Sequence, residues 1–128
     1  MRRNISTRGP WEESFGYSRA VIAGPWVLVA GTTATVDGEV VAVGDAYAQT
    51  RVAFDIALAA LSEAGLRPDD VVRTRMYVID MAFHDDVGRA HHEFFGTIRP
   101  AATIVGVAAL AHRNHLVEVE LDGYRFDL

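Results

Sequence analysis

Two stretches of this chain alternate between apolar and polar side chains and so demand a sheet with one buried face: Val71 to Ile79 and Val117 to Leu121. A strand sends successive side chains to opposite sides. In the first stretch Val72, Thr74, Met76 and Val78 share one face, while Arg73, Arg75 and Tyr77 share the other. In the second, Val117, Val119 and Leu121 oppose Glu118 and Glu120. One side of the sheet is therefore core, and the other is polar with both signs of charge. Such a face is either solvated or an oligomer interface with its charges paired. The interface is preferred, because Tyr77 and several small residues would otherwise be left wet.

Two helical patterns supply the cover for the apolar side. Asp45 can cap a helix running to about Ala64, where Gly65 supplies a left-handed stop. Tyr47, Phe54, Ala57, Leu58 and Leu61 form its stripe, broadened by Ala53, Ala60 and Ala64. A face so rich in alanine suits a helix lying flat on a sheet. A second helix over about Asp85 to Phe95 ends at Gly96 and buries Val87, Ala90, His91, Phe94 and Phe95. Further strands are expected over Ser18 to Ile22, Trp26 to Thr32 and Thr103 to Val107, with Asp37-Gly38 closing a tight hairpin. The order βββ-α-β-α-ββ predicts an α+β fold, a mostly antiparallel sheet with both helices on one face. At 128 residues and 50% apolar content, residues 1–128 are expected to form a single domain.

Charge and composition narrow the function. A formal charge of -5, with no lysine at all, argues against a basic track for nucleic acid. Zero cysteines remove disulfides, thiolate metal sites and thiol catalysis. No apolar run follows Met1-Arg2-Arg3-Asn4 as a signal peptide requires, and no stretch has the length of a membrane span. A cytoplasmic protein without membrane partners is the expectation. His91 and His92 point about 100° apart on a helix and cannot chelate one ion together. His112 and His115 flank a loop without a third convincing ligand. No phosphate loop, Ser-His-Asp signature or cofactor lysine is present. No metal and no cofactor are therefore predicted.

Seven segments together resemble the reactive intermediate deaminase (Rid, also called YjgF) family. They are Gly16-Tyr17-Ser18-Arg19-Ala20-Val21, Val29-Ala30-Gly31-Thr32, Gln49-Thr50, Asp69-Asp70-Val71-Val72, Phe94-Phe95-Gly96, Arg99-Pro100-Ala101 and Val117-Glu118-Val119-Glu120. They span nearly the whole chain in the family's order. The resemblance implies a chorismate-mutase-like fold and a homotrimer with three small-molecule clefts, each lined by two subunits. It also implies hydrolysis of reactive enamines and imines, such as 2-aminoacrylate, to a keto acid and ammonia. By the same resemblance Tyr17 lines the cleft, the Gly31 backbone approaches the ligand, and Glu118 positions the attacking water. Ala102 falls on the arginine that grips the substrate carboxylate, Ala30 on a position often serine, and Gly88 on one often asparagine. Together with Gly31-Thr32-Thr33-Ala34, these blanks place the resemblance in a divergent branch.

The chemistry leaves several readings open. Alanine cannot hold a carboxylate bidentately as arginine does. Either another cation compensates or the ligand lacks a carboxylate. Arg75 is the natural compensator, against the commoner outcome of a cross-strand ion pair with Glu118 or Glu120. Arg99 reads as a loop-surface residue and Glu120 as an interface charge. His91 is either a satisfied core histidine or an acid or base in the cleft. The site expected is thus Glu118 as the catalytic carboxylate, with Tyr17, Gly31, Arg75, His91 and Ala102 around the ligand. The competing function is a trimeric small-molecule binding or regulatory module without turnover. The ribonuclease label that some relatives carry fits this acidic chain least.

Overall fold

A computed structural model describes residues 1–7 and 9–127. Its centre is strand β8 (Val117–Tyr124), paired antiparallel on both edges, with β3 (Trp26–Thr32) on one side and β6 (Val71–Val78) on the other. β2 (Ala20–Ala23) and then β1 (Arg2–Ile5) extend the sheet beyond β3, and β7 (Ala101–Gly106) extends it beyond β6. The order is β1-β2-β3-β8-β6-β7, antiparallel throughout except for β6 with β7. A parallel pair needs a crossover, and α3 (His84–Phe95) provides it. Thr35–Val36 (β4) and Glu39–Val40 (β5) form a separate hairpin about Asp37-Gly38, as expected from that dipeptide.

Helix α2 (Ala46–Glu63) lies across β3 and β8 and packs beside α3. Asp45 caps it by accepting from the Ala48 amide at 2.9 Å, and Gly65 at φ 89° ends it. Phe54, Ala57 and Leu61 of α2 are fully buried in one core with Val117, Val119 and Leu121. Of the five residues expected to be buried on α3, Val87, Ala90 and Phe95 are, while His91 and Phe94 are half-buried. Tyr47 and Leu58 reach only half-burial, and Tyr47 instead donates to Glu93 across the α2–α3 boundary at 2.6 Å.

Three expectations need correction. The chain begins with elements that the sequence pattern did not announce: β1, and the short helix α1 (Pro10–Phe15). In β1 the residues Arg2, Arg3 and Asn4 are exposed and only Ile5 is buried, so a strand made by backbone pairing alone left no apolar alternation to read. In β6 it is Val71, not Val72, that joins Thr74, Met76 and Val78 in the interior. The register against β8 shifts between Val71 and Arg73, and this bulge turns the first two residues by one position. Finally, β8 runs on to Tyr124 rather than stopping at Leu121.

Gln49, fully buried on α2, ties the loop before β8 to the body of the fold. Its amide donates to the carbonyls of Asn114 (2.8 Å) and Val41 (3.3 Å), and its oxygen accepts from the Leu116 amide at 2.9 Å. Gln49→Leu keeps the volume and abandons all three groups. Leaving buried backbone groups unpaired is expected to cost at least about 2 kcal/mol. Urea unfolding at fixed protein concentration should show the loss as a lower midpoint; an unchanged midpoint would mean that the clamp adds nothing.

Candidate functional site

The candidate site grows from an irregularity in β3. Val29 pairs with Leu121 and Thr32 with Val119, so β3 spends one more residue than β8 between these points. The bulge at Ala30 and Gly31 takes their carbonyls out of the ladder, and buried carbonyls require donors. Arg19 supplies them. One of its terminal nitrogens lies 2.6 Å from the Ala30 oxygen, 2.7 Å from the Gly31 oxygen and 2.7 Å from Thr32 Oγ1. Thr32 Oγ1 in turn donates to the Ala30 oxygen at 2.8 Å.

The bulge brings Gly31 under the side chain of Glu118. A β-carbon at Gly31 would stand 3.0 Å from Glu118 Cδ and closer still to its carboxylate oxygen, so only glycine lets this carboxylate lie where it does. Glu118 projects from the open face of β8, directly opposite Tyr77 of β6. Its two acidic neighbours on that face are engaged. Arg75 reaches Asp122 at 3.3 Å and Glu120 at 4.0 Å, and the Tyr77 hydroxyl donates to Glu120 at 2.6 Å. Among the described residues Glu118 accepts no hydrogen bond and forms no ion pair. Burial first, and then the charge of Glu120, raise its pKa above the ordinary glutamate value; the Arg19 cation only partly opposes them.

Tyr17 is set by α1. Gly16, at φ 83°, ends that helix, and the amides of Gly16 and Tyr17 both return to the Glu12 carbonyl at 2.9 Å. The Glu12 side chain is buried and accepts from Thr7 Oγ1 (2.7 Å) and the amides of Thr7 and Gly9. Burial alone would raise its pKa, but the hydrogen bonds from Thr7, Ser6 and Gly9 outweigh it and hold the group below the ordinary value. Tyr17 and Arg75 both line an open groove of about 700 Å³ on the uncovered sheet face, together with Leu28, Ala30, Glu120 and Asp122.

Ala102 and His91 lie elsewhere. They line a smaller cavity of about 180 Å³ with Met76, His84, Gly88 and Thr103, where α3 meets the β6–β7 edge. Ala102 pairs with Thr74, and Thr74 Oγ1 is 2.8 Å from His91 Nε2. The His91 ring packs on Phe54 and Phe95. Burial, with a smaller push from His92, lowers its pKa, so the ring is neutral near pH 7. His91 is thus a satisfied histidine that also forms part of a cavity wall.

Within one chain the six expected residues fall into two groups. Tyr17, Gly31, Arg75 and Glu118 belong to the uncovered face, whereas Ala102 and His91 belong to the helix side at the far edge. Arg75 resolves as the cross-strand ion pair, with Asp122 as its nearer partner rather than Glu118 or Glu120. Arg99 is exposed in a turn at φ 57°. No three His, Asp or Glu side chains gather as a metal site among the described residues, and none of their helices is long and apolar enough to cross a membrane. Arg19, Glu12 and Thr32 were not singled out from the sequence as contributors. The available sign was a lone arginine entering the apolar run Ala20-Val21-Ile22 in a chain without lysine.

The raised pKa of Glu118 has a consequence for stability. A carboxyl that holds its proton more tightly in the folded state contributes stability at low pH that is lost as pH rises through the folded pKa. Glu118→Gln removes that loss. The variant should therefore be more stable than the natural chain at neutral pH, and the difference should close in acid below the ordinary glutamate range. Denaturation curves across pH measure this; a variant less stable at pH 7 would reveal favourable contacts to the carboxylate.

The family model described as Endoribonuclease L-PSP matches residues 11–124. Protein SCO2049 of Streptomyces coelicolor is 45% identical over 123 residues, 96% of this chain and 92% of that protein. The RutC family protein PH0854 of Pyrococcus horikoshii is 33% identical over 128 residues, 98% of this chain and 99% of that one. Among solved structures, Rv2704 of Mycobacterium tuberculosis, a member of the YjgF/YER057c/UK114 family, superposes with a TM-score of 0.88 at 44% identity, covering 97% of this chain and 99% of that one. Sequence, strand order and helix placement agree over nearly the full length, and the chain belongs to the YjgF (Rid, UK114) family with its chorismate-mutase-like α+β fold.

Proposed function

We propose that this protein processes a small enamine, imine or related carbonyl compound, without a cofactor, at a cleft completed by a second subunit of a homotrimer. The observation that carries the reading is Glu118, an acidic side chain without a partner among the described residues, half-buried over Gly31 while its neighbours Glu120 and Asp122 are engaged. Burial and the neighbouring Glu120 charge raise the pKa of Glu118 above the ordinary glutamate value, the direction that makes a carboxylate a better proton acceptor. In hydrolysis Glu118 would orient a water toward the C=N carbon and accept its proton as the C–O bond forms. Returning a proton to nitrogen then lets the carbinolamine collapse to the carbonyl and expel the amine. In tautomerisation the same carboxylate would carry a proton between carbon and nitrogen. Tyr17 would donate a hydrogen bond to the ligand and Gly31 would offer backbone contact.

The division of the site within one chain supports a shared cleft: Glu118 with Gly31, and Ala102 with His91, are walls that a neighbouring copy can bring together. Among the described residues the wall beside Ala102 holds no lysine or arginine, and burial lowers the pKa of His91, which disfavours its cation. Arg75 is already drawn to Asp122 and Glu120. A charge-assisted anchor is worth about 1.5–3 kcal/mol, so a ligand carrying a carboxylate to this wall would forgo about ten- to a hundredfold in affinity. The substrate class that fits is uncharged at that end. The same blank wall favours the competing reading, a binding module that holds such a ligand without turning it over.

Three measurements test the proposal. Light scattering should report about three times the 14.0 kDa chain mass; a monomer at micromolar concentration would remove the shared cleft. The natural protein should hydrolyse 2-aminoacrylate weakly and Ala102→Arg faster, whereas robust activity in the natural protein would show that another group replaces the arginine. With a ligand found by metabolite screening, Glu118→Gln should lower turnover by roughly a hundredfold or more while leaving affinity nearly unchanged. If neither quantity moves while the trimer persists, the binding-module reading takes the lead.

A further inference from the structure

Arg19 has no counterpart in the role just described, yet it sits at the root of the site. It is half-buried, its terminal nitrogen is committed to two backbone carbonyls and a hydroxyl, and its Nε is buried without a hydrogen-bond partner among the described residues. An arginine placed only to satisfy two carbonyls is an expensive choice, because a buried cation costs far more to desolvate than a neutral donor. A glutamine or asparagine amide would serve the same carbonyls without that cost. What only a cation adds is its field.

Gly31 lies between that cation and Glu118. Its carbonyl receives the Arg19 guanidinium, and its α-carbon carries the Glu118 carboxylate in close contact. The two charges form no direct ion pair, so Arg19 leaves the carboxylate oxygens free for another partner. Glu120, two residues along β8, opposes the charge of Glu118, and Tyr77 opposite on β6 gives it no hydrogen bond because its hydroxyl is spent on Glu120. Burial penalises the carboxylate as well.

We propose that Arg19 is a positioning residue for Glu118: it pins the Ala30–Gly31 bulge that seats the carboxylate, and it supplies a nearby positive charge that keeps this half-buried group ionisable without occupying its oxygens. The inference rests on the role given to Glu118, but it is read by titration rather than by turnover, so the two stand or fall separately.

The test uses the intact assembly labelled with carboxyl-13C glutamate, following the Glu118 resonance against pH. In Arg19→Gln the midpoint should move upward, and the carbonyl-carbon resonances of Ala30 and Gly31 should shift as their donor changes. Arg19→Lys restores the charge with fewer donors, and should bring the Glu118 midpoint back toward that of the natural protein. An unmoved midpoint in a folded Arg19→Gln would overturn the proposal and leave Arg19 a backbone brace. Should that variant fail to fold, the natural protein still decides. The Arg19 Nε–H proton resonance should show a step at the Glu118 midpoint that vanishes in Glu118→Gln. A resonance blind to Glu118 would overturn the proposal equally.

Discussion

Strand β8 carries the core on one face and the candidate site on the other, and its pairing on both edges makes that division permanent. Val117, Val119, Leu121 and Gly123 are buried under α2, while Glu118, Glu120, Asp122 and Tyr124 line the uncovered side. A slip of one residue would put three carboxylates into the core and four apolar positions into water. Ladders to both β3 and β6 would have to break for that to happen. The buried register therefore fixes where the carboxylates stand, and stability and site geometry cannot be tuned independently along this strand.

The uncovered face then sorts its three carboxylates by partner. Asp122 and Glu120 share Arg75, and Glu120 also accepts from Tyr77. Glu118 stands one step beyond this network, where β3 bulges and withdraws a side chain at Gly31. Exposed ion pairs of this kind contribute little to stability, so the value of the Arg75 network lies in leaving one acid unpaired rather than in its own energy. The bulge that achieves this is paid for by Arg19, whose bonds replace the missing ladder.

Much of this was legible in the chain. The Asp45 cap, the Gly65 stop, the Asp37-Gly38 hairpin and the Phe54, Ala57 and Leu61 part of the α2 stripe each came from local chemistry that survived folding. Glu118 and Gly31 were candidates through the family resemblance alone, and the fold adds a physical reason why they lie together. What was not legible depends on contacts between distant segments. β1 exists through backbone pairing to β2, which leaves no periodicity in Arg2-Arg3-Asn4. The Val71/Val72 exchange follows from a bulge defined only against β8. Arg75 was readable as either cation or ion pair until Asp122, 47 residues away, was placed beside it. The role of Arg19 was not legible for the same reason, since its acceptors lie on the next strand.

The central claim is that Glu118 is an unpaired carboxylate facing a cleft whose opposite wall, around Ala102 and His91, comes from a neighbouring copy. A crystal structure of the assembled protein tests it most directly. The account predicts that Glu118 of one subunit faces Ala102 of the next across a cavity large enough for a small metabolite, with Arg75 still bound to Asp122. A structure in which Glu118 is sealed by flat packing, or pairs with an arginine of the neighbour, would contradict it.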